Sequence, residues 1–435
     1  MAEKNVLARQ IAKGIRLHQR GQLADAEKIY GRVLRKDPNN VNALNFLGVL
    51  SQQRGDAPRG ISLLEKCIQL DPQYADAYQN LVRMLLDQGD YERALLFSEG
   101  LISLSPYSAE AFISHGVCNE KLGRYTEARD SLEKGLQLDA THIRARFKLA
   151  SVLRELGEAN AAIEHYRAVL QADPTFEVAY ESLGLLLYKQ GEIDGMADIY
   201  RRWLNEFPGN ARAAHLYASC SDVPAPERAS DVYVADVFDS FADTFDKSLS
   251  DLNYQAPQLV ADALDASSRG NSLDILDVGC GTGLCGPLIY QFAARLVGVD
   301  LSSRMLEKAK LLDIYDELHK MELVSFMRST AENFDCVISA DTLVYFGDVQ
   351  PVFAAVVEVL NPGGEFIFTV EMLEASSGQE YRLNPHGRYS HSSLYIDRSI
   401  IISGLKLERI DEVVFRKEGD QDVIGLLIIA HKPAN

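Results

Sequence analysis

The chain has 435 residues, of which 47% are apolar and 24% charged, and its formal net charge is −18. This balance is typical of globular proteins and excludes an intrinsically disordered chain, while the length predicts two or three domains. No run of about 18 apolar residues occurs and the first residues lack a signal-peptide pattern, so we expect a cytoplasmic protein without a membrane partner.

The charge is unevenly divided along the sequence. Residues 1–224 contain 27 Lys and Arg against 29 Asp and Glu, whereas residues 225–435 contain 17 against 33, which together account for the totals of 44 and 62. Because an acidic surface repels polyanions, we expect no nucleic-acid partner. The six cysteines show neither a CxxC pair nor zinc-like spacing, so we expect reduced thiols and no metal site.

Glycines recur every 34 residues in the first half. Five residues after each lies a small residue, except at Met196, and seventeen residues after each lies a proline, except at Ala140. Glycine permits a tight turn between two helices, the small residue allows their close approach, and proline ends the second helix. The repeat therefore predicts six antiparallel helix pairs. The six glycines are Gly21, Gly55, Gly89, Gly123, Gly157 and Gly191.

This pattern resembles the tetratricopeptide repeat (TPR) over about residues 7–220. The resemblance implies that residues 1–220 form an all-α superhelix, closed by the helix at 210–220, whose concave groove binds a protein or peptide. Amide side chains suit an extended peptide backbone and aromatic ones can anchor side chains, although for any single position a solvated helix face is the alternative. The implied groove positions are Asn42, Asn45, Gln52, Gln79, Arg83, Phe147, Arg154 and Tyr188.

The second half, residues 225–435, alternates short β-rich runs with helical ones, which predicts an α/β domain with a parallel sheet. The last two predicted strands, 405–416 and 423–432, are expected to form a closing antiparallel hairpin, so that the sheet has seven strands. The five preceding runs are 273–279, 295–300, the weaker 321–326, 334–341 and 364–371.

The first of these strands runs into the glycine-rich turn DVGCGTG (277–283), where main-chain amides can approach a ligand closely. Residues 281–286 also spell GxGxxG, the dinucleotide fingerprint, but the strand ends two residues earlier and an acid precedes it. DVGCGTG resembles the first motif of class I S-adenosylmethionine-dependent methyltransferases, and SADTLVYF (339–346) and LNPGGEF (360–366) resemble later landmarks. The resemblance implies a Rossmann-like seven-stranded methyltransferase domain with S-adenosyl-L-methionine as cofactor.

The resemblance also implies roles for single residues. Asp300, at the end of the second strand, would accept the ribose hydroxyls, and Glu322 the adenine amino group, although MEL departs from the commoner Asp-containing form. Asp341 would face the sulfonium, with helix capping as its alternative. The implied cofactor-binding residues are Asp277, Gly279, Cys280, Gly281, Gly283, Asp300, Leu301, Glu322, Leu323, Asp341 and Phe241.

Two flanking segments complete the predicted site. Residues 238–257 resemble the N-terminal cap of bacterial proteins that couple these repeats to this domain, which implies that Phe241 and Phe245 cover the cofactor; ordinary helix packing is the alternative. Residues 371–395 are long for a loop and are therefore predicted to be functional. They bring together His386, Arg388, Tyr389 and His391, and the predicted catalytic residues are His391 and His386 as general bases, with Tyr345 as the substitute.

The predicted reaction is methyl transfer to an N, O, S or C nucleophile without a metal, giving S-adenosyl-L-homocysteine. SADT is not an Asn/Asp-Pro-Pro-aromatic box, which argues against the exocyclic amines of bases and glutamine amides. Three hypotheses stay open: a protein or peptide methyltransferase whose repeats hold the substrate, a small-molecule methyltransferase docked to a partner by its repeats, and a non-catalytic scaffold.

Overall fold

The computed structural model describes residues 2–266, 272–418 and 421–434. These residues divide into two compact units, Met1–Gln190 and Gly191–Asn435. The predicted domain boundary between residues 220 and 225 stays a prediction. The described helices of the first unit are α1 (Ala2–Gln19), α2 (Leu23–Lys36), α3 (Val41–Gln53), α4 (Ala57–Leu70), α5 (Ala75–Asp87), α6 (Tyr91–Leu104), α7 (Ala109–Lys121), α8 (Tyr125–Leu138), α9 (Ile143–Glu155), α10 (Ala159–Ala172) and α11 (Val178–Lys189).

Consecutive helices of the first unit pack in pairs, from α1 on α2 to α9 on α10. The six periodic glycines have φ between +72° and +84°, the left-handed region in which glycine meets no steric cost. A Cβ at these positions would meet no atom closer than 3.9 Å, so the turn conformation, not crowding, requires glycine there. The helical-repeat prediction is confirmed.

The small residues five positions later have the packing role that the repeat predicts. A Cβ on Gly60 would lie 2.8 Å from the carbonyl oxygen of Gly48, so α3 and α4 approach too closely for a larger residue. Ala94 and Ala128, at the same repeat position, are completely buried. Helices α3 and α4 therefore pack backbone against backbone at this point, and the buried alanines permit a close approach in the pairs that carry them.

The second unit combines helices with a nine-stranded sheet over its described residues. Its helices are α12 (Ile193–Glu206), α13 (Ala211–Ala218), α14 (Asp231–Phe241), α15 (Phe245–Asp251), α16 (Ala256–Ala266), α17 (Gly286–Ile289), α18 (Ser303–Leu311), α19 (Leu323–Ser329), α20 (Gln350–Val359) and α21 (Ser393–Ser403). Its strands are β1 (Leu273–Val278), β2 (Ala293–Asp300), β3 (Glu317–Lys320), β4 (Phe334–Ser339), β5 (Leu360–Met372), β6 (Tyr381–Leu383), β7 (Tyr389–His391), β8 (Lys406–Glu418) and β9 (Gln421–His431).

The order of the sheet agrees with the prediction, but over the described residues it has nine strands instead of the predicted seven, because β6 and β7 lie in the segment predicted as a loop. Strands β3, β2, β1, β4 and β5 are parallel neighbours in that order, β9 runs antiparallel beside β5, and β8 pairs with β9. Apolar clusters lie on both faces of the sheet: α19, α20 and α21 contribute to one, α16 and α17 to the other. Burial on both faces explains why β4 and β5 read as nearly continuous apolar runs. The predicted α/β fold class with its closing hairpin is confirmed.

The predicted third strand is wrong. Residues 321–326 do not form a strand, because α19 begins at Leu323 and β3 lies earlier, at Glu317–Lys320. Both carboxylate oxygens of Glu322 accept hydrogen bonds from the first amides of this helix, at Val324 and Ser325. Leu323, Phe326 and Met327 are the buried residues of α19. Their spacing of three and four is that of a helix face.

The segment 371–395 is more ordered than the predicted loop. It contains β6 and β7, which pair antiparallel across the turn at Asn384–Arg388, and α21 begins at Ser393. The amide of Gly387, with φ of +86°, donates to the carbonyl oxygen of Asn384 and closes this turn. Among the described residues, no helix is both long and apolar enough to cross a membrane.

Candidate active site

A cavity of about 360 Å³ lies in the second unit, where the carboxyl ends of β1, β2 and β4 meet. This edge of an open parallel sheet is where α/β proteins bind ligands. Eight of the eleven residues predicted to bind the cofactor line the cavity. They are Gly279, Gly281, Asp300, Leu301, Glu322, Leu323, Asp341 and Phe241.

The glycine-rich turn forms the floor beside β1. Gly279 has φ of +78°, and a Cβ there would lie 2.1 Å from the Oγ1 atom of Thr342, which follows β4. Gly281 has φ of +56°, and a Cβ there would meet nothing within 4 Å. The first glycine therefore permits close packing of two sheet-edge loops, whereas the second keeps its side of the turn open for a ligand.

The three remaining predicted residues, Asp277, Cys280 and Gly283, do not line the cavity but support the turn from behind. The Tyr315 hydroxyl donates to Oδ2 of Asp277 at 2.7 Å. The same ring packs where a Cβ on Gly283, Gly286 or Gly298 would approach it within 3.1 Å. Cys280 is buried and its Sγ atom lies 3.0 Å from a Cβ built on Gly298. Gly283 and Gly286 of the GxGxxG pattern therefore leave room for the ring of Tyr315.

Burial raises the pKa of Asp277 to about 7, although the hydrogen bond from Tyr315 opposes the shift. This carboxyl is therefore partly protonated near neutral pH. Its neighbour in the site, Asp300, accepts a hydrogen bond from the Gly281 amide at 2.9 Å through Oδ2 and one from the Ser302 amide at 2.8 Å through Oδ1. Asp300 thereby ties the glycine turn to the end of β2 while also facing the cavity.

Glu322 lies on the same side of the cavity as Asp300. Its carboxylate caps α19, and the Nη1 atom of Arg228 lies 3.8 Å from its Oε1 atom. Met321, Leu301 and Leu323 supply apolar surface around it. This end combines a carboxylate at the close of β2, a second carboxylate and an apolar slot, which together suit a nucleoside.

A cap segment, residues 231–251 with helices α14 and α15, covers the cavity. Phe241 and Phe245, both predicted to cover the cofactor, line it and meet nearly edge to face, with ring centres 5.6 Å apart. Phe238 adds a third ring, packed edge to face against Tyr345. The cap therefore presents an aromatic wall to whatever occupies the cavity.

Polar contacts hold the cap segment on the sheet edge. The Asp239 carboxylate accepts from the Ser302 hydroxyl at 2.5 Å and from the Arg304 amide at 3.2 Å, and Thr282 donates to Asp246 at 2.6 Å. The Ser302 hydrogen bond, opposed by burial, is the main reason that the pKa of Asp239 is lowered. At neutral pH the carboxylate is ionised and these contacts are at full strength.

With this geometry described, the chain can be compared with known proteins. Residues 276–368, from β1 to β5, match the family described as "Methyltransferase domain". Families described as "Tetratricopeptide repeat" match residues 11–75, 80–143 and 51–101, and one described as "TPR repeat" matches residues 150–191. The chain carries tetratricopeptide repeats followed by a methyltransferase domain.

Two relatives named ubiquinone biosynthesis O-methyltransferase resemble part of the chain. The protein of Chelativorans sp. is 28% identical over 190 residues, which cover 39% of this chain and 75% of the relative. That of Saccharophagus degradans is 29% identical over 162 residues, covering 34% and 65%. The solved magnesium protoporphyrin IX methyltransferase of Synechocystis PCC 6803, with bound SAH, is 16% identical, with a TM-score of 0.37 and coverage of 46% and 99%.

The end of the cavity near β4, β5 and β8, its far end, is bordered by a charged cluster that we define as Asp341, Glu371, His386, Arg388 and Arg416. Arg416 is almost completely buried, and its Nη2 atom donates to Oε1 of Glu371 at 2.6 Å. The Arg388 Nε atom lies 3.4 Å from the same oxygen, and the Arg416 Nη1 atom lies 3.5 Å from Oδ2 of Asp341. Arg388, Arg416 and Asp341 line the cavity, with Glu371 behind them.

Charge neighbours decide the ionisation of this cluster. Burial alone would raise the pKa of Glu371, but Arg388, His386 and Arg416 outweigh it, so the pKa is lowered. Burial likewise opposes the charged form of Arg388, yet Glu371 keeps its pKa raised. Asp341 itself has φ of +54°, a strained conformation for a residue other than glycine. The cluster thus holds charged groups and backbone strain beside the cavity.

Sequence reasoning missed Tyr254, Glu371 and Arg416. Tyr254 precedes α16, Glu371 lies near the end of β5 and Arg416 near the end of β8, so tertiary structure alone brings them together. Glu371, directly after the apolar run FIFTV of β5, was the available signal, because such a charge is buried only when it is paired. Strand β8 carries many charged residues, so Arg416 gave no comparable signal.

The predicted catalytic residues are separated by the structure. Tyr345 lines the cavity, and burial raises its pKa to about 12, so its hydroxyl is neutral at physiological pH. His391 is completely buried in β7 and does not line the cavity. Its Nε2 atom lies 2.8 Å from the Phe346 carbonyl oxygen and must carry the proton there, and burial lowers its pKa to about 4. His386 lies in the charged cluster, 3.7 Å from Glu371, behind the cavity wall.

The turn between β6 and β7 is also held by α13. The His215 Nε2 atom lies 2.8 Å from the Gly387 carbonyl oxygen, and the Ser219 hydroxyl donates to the Pro385 carbonyl at 3.2 Å. Tyr233 stacks on the His215 ring with centroids 4.1 Å apart. These contacts fix the turn from which Arg388 reaches the cavity.

The predicted partner-binding residues differ in exposure. Gln79 and Arg83 are exposed on α5, whereas Asn45 is buried and accepts a hydrogen bond from Asn80 at 3.0 Å. Phe147 packs between Tyr166 and Phe176, with ring centres 5.5 and 5.0 Å away. Arg154 and Tyr188 are half-buried. Gln79 and Arg83 are therefore the most accessible of the proposed contacts, while Asn45 and Phe147 stabilise the repeats themselves.

Proposed function

We propose that the second unit transfers a methyl group from S-adenosyl-L-methionine to an acceptor held at the far end of the cavity, leaving S-adenosyl-L-homocysteine. The observation that carries the proposal is the gathering of eight expected cofactor residues around one cavity, seven of them within the region that matches a methyltransferase domain. The charged cluster, which shares Asp341 with this set, then forms the acceptor end.

The residues around the cavity fit this cofactor chemically. Asp300 would accept hydrogen bonds from the ribose hydroxyls, and Leu301 and Leu323 would supply apolar surface for the adenine. Gly281, where a Cβ would meet nothing within 4 Å, leaves the turn open toward the remainder of the cofactor. When bound, S-adenosylmethionine supplies a methyl group activated by a positively charged sulfur.

Because the methyl donor is already activated, the protein's contribution is mainly positioning and exclusion of water. Phe238, Phe241 and Phe245 line the cavity and shield it from one side. Asp341 would lie near the developing charge change, and its partner Arg416 holds that carboxylate in place. No step in this scheme depends on His391, whose ring is occupied by the Phe346 and Gly347 carbonyls.

The experiment that tests this proposal is calorimetric titration of the full chain with S-adenosylmethionine, followed by competition with NAD. We expect S-adenosylmethionine and S-adenosylhomocysteine to bind and NAD not to displace them. Preferential binding of NAD would return GxGxxG to its dinucleotide interpretation and overturn the proposal.

For the repeats we propose a protein- or peptide-binding role, with the bound peptide as methyl acceptor. The tetratricopeptide matches and the exposed Gln79 and Arg83 support this role. The second candidate is a small-molecule acceptor with the repeats docking a partner, and it is favoured by the relatives named ubiquinone biosynthesis O-methyltransferase.

The two candidates differ in what a groove variant does. In the full chain, Gln79→Ala combined with Arg83→Ala should raise the KM for a peptide acceptor steeply and change kcat little, because binding outside the chemical step is lost. For a small-molecule acceptor, both constants should be unchanged. Arg35→Ala, exposed at the end of the outer helix α2, is the matched control.

A further inference from the structure

We propose that the methyl acceptor is an acid whose carboxylate binds Arg388 and Arg416 and is converted into a methyl ester. The inference rests on the proposed methyl transfer and names the acceptor chemistry of the same cavity. The acid could be a small molecule or a carboxylate of a peptide, since both present the same group.

The first argument is the geometry of the two arginines. Both line the cavity, and Glu371 draws them together from behind, because the same Oε1 atom lies 2.6 Å from Arg416 Nη2 and 3.4 Å from Arg388 Nε. Guanidinium groups are planar forks of N–H donors that match carboxylates better than any other side chain. Two of them facing one cavity form a site for an anion.

The second argument is the unfavourable free energy of burying the charges of this cluster. Asp341, Arg388 and Arg416 line the cavity and Glu371 lies behind them, with Arg416 and Glu371 almost completely buried. Desolvating such charges is unfavourable, and apolar residues of similar volume often stabilise a fold as well or better. A purely structural role therefore explains the cluster poorly, whereas recognition of a ligand explains it directly.

The third argument is charge balance. Asp341 and Glu371 balance Arg388 and Arg416 as the cluster stands. The sulfonium group of a bound cofactor would add positive charge at this end, and an acceptor carboxylate would restore neutrality. At this end of the cavity a cationic amine would instead add to the positive charge of the sulfonium, which is unfavourable at low dielectric.

The fourth argument concerns protons. An alcohol, phenol or ammonium acceptor must lose a proton, yet no histidine is among the described residues that line the cavity. Tyr254 and Tyr345 both line it, and burial raises the pKa of each, so both are neutral proton donors at physiological pH. A carboxylate is already ionised and needs no base.

The reaction balances without a further reactant. A carboxylate oxygen forms a bond to the methyl carbon while the bond between that carbon and the sulfonium sulfur breaks, and the sulfur keeps the electron pair. The products are a methyl ester and S-adenosylhomocysteine, and no proton is transferred. The arginines orient the oxygen that attacks and release the neutral ester more readily than the acid.

The first test measures binding to the full chain saturated with S-adenosylhomocysteine. Calorimetric titration compares benzoate with benzamide and hexanoate with hexanamide, pairs that differ chiefly in charge. We expect each acid to bind at least about tenfold more tightly than its amide, and Arg388→Gln to lower acid affinity by about 10- to 100-fold, the range of charge-assisted hydrogen bonds. Equal affinity of acid and amide in both pairs would overturn the inference.

Controls separate recognition from folding. Arg388 is the primary site because Arg416 is buried and its replacement can unfold the unit, so Arg416→Lys, which keeps the charge, is the second variant. Arg409→Gln lies on the same strand β8, where Arg409 is half-exposed and pairs with Asp411 outside the cavity, and should leave acid binding unchanged. If the parent chain, without any substitution, does not bind S-adenosylmethionine, the proposed function itself is overturned.

The second test identifies the product bond. The full chain is incubated with methyl-tritiated S-adenosylmethionine and, separately, with the small-molecule and the peptide fractions of a cell extract from its source. Methyl esters release volatile methanol in alkali, whereas methyl ethers, thioethers and amines do not. Base-volatile label in either fraction supports the inference and identifies the source of the acid. Base-stable label contradicts it.

Discussion

The two ends of the cavity are built from the sequence in different ways. The proposed cofactor end takes Gly279, Asp300 and Glu322 from positions at or just after the ends of β1, β2 and β3 of the parallel sheet. The acceptor end joins Tyr254, Glu371 and Arg416 to Asp341 and Arg388, which come from distant elements. The first end is a local motif, whereas the second exists only after the sheet and its closing hairpin have formed.

Replacement of Asp300 by Ala is expected to have the largest effect on the cofactor end. Two charge-assisted hydrogen bonds to a ligand would be lost, which corresponds to about 3–6 kcal/mol of S-adenosylmethionine binding. Part of this loss reflects the released amides of Gly281 and Ser302. Calorimetric titration measures it, and Asp316→Ala, which removes an acceptor for the Leu296 amide outside the cavity, is the control. Unchanged affinity in Asp300→Ala would contradict the ribose assignment.

A pair of glycines separates backbone strain from crowding at the same end. Gly279 and Gly363 have φ of +78° and +79°, but only Gly279 faces an atom within 4 Å of its missing Cβ. Gly363→Ala should cost about 1–2 kcal/mol of stability from the left-handed backbone alone. Gly279→Ala should cost about 1–3 kcal/mol more, because Thr342 must move. Denaturant unfolding of both variants measures the difference, and equal costs would show that Thr342 moves freely.

The pKa of Asp277 predicts a dependence of stability on pH. Burial raises this pKa to about 7, far above the ordinary value near 4, so between these limits the folded chain retains a proton that the unfolded chain releases. Stability from this group is therefore full at low pH and is lost as the pH rises through about 7. Asp277→Asn keeps an acceptor for Tyr315 without the charge. The Tm of this variant relative to that of the parent should rise between about pH 5 and about pH 8. A Tm difference that is constant over this range would argue against a raised pKa of Asp277.

The smallest effect on kcat is expected from the replacement of His391. A general base contributes about 100- to 10,000-fold in rate, but His391 does not reach the cavity. His391→Gln can still donate to the Phe346 carbonyl, so kcat should change only by about twofold, with the loss falling on stability instead. Tyr345→Phe, at the cavity wall, provides the comparison in the same steady-state assay. A hundredfold loss of kcat in His391→Gln alone would restore the histidine as a base.

The sequence predicts those parts of the fold whose cause is local. The periodic glycines specify left-handed turns, and the turn after β1 specifies the floor of the cavity, because each needs a conformation that only glycine adopts easily. The apolar content of residues 321–326 favours a strand, whereas the spacing of the buried residues and the position of Glu322 as an N-cap indicate the helix that the structure shows.

The acceptor end could not be predicted in the same way. Asp341 and Arg388 were visible as single residues, but Arg416 has meaning only beside Glu371, and the two strands that carry them are separated in sequence by the β6–β7 hairpin and α21. Similarly, the spacing of His386 and His391 in the sequence does not indicate that His391 is completely buried in β7, where burial lowers its pKa and keeps the ring neutral.

The contact of α13 with the β6–β7 turn matters for the engineering of chimaeras. The sequence repeat runs to about residue 220, and a fusion designed from that pattern would exchange α13 together with the other helices. Such an exchange would remove His215 and Ser219, which hold the Gly387 and Pro385 carbonyls beside Arg388. A foreign helical array should therefore be joined at Gln190–Gly191, so that the native α12 and α13 stay in the second unit.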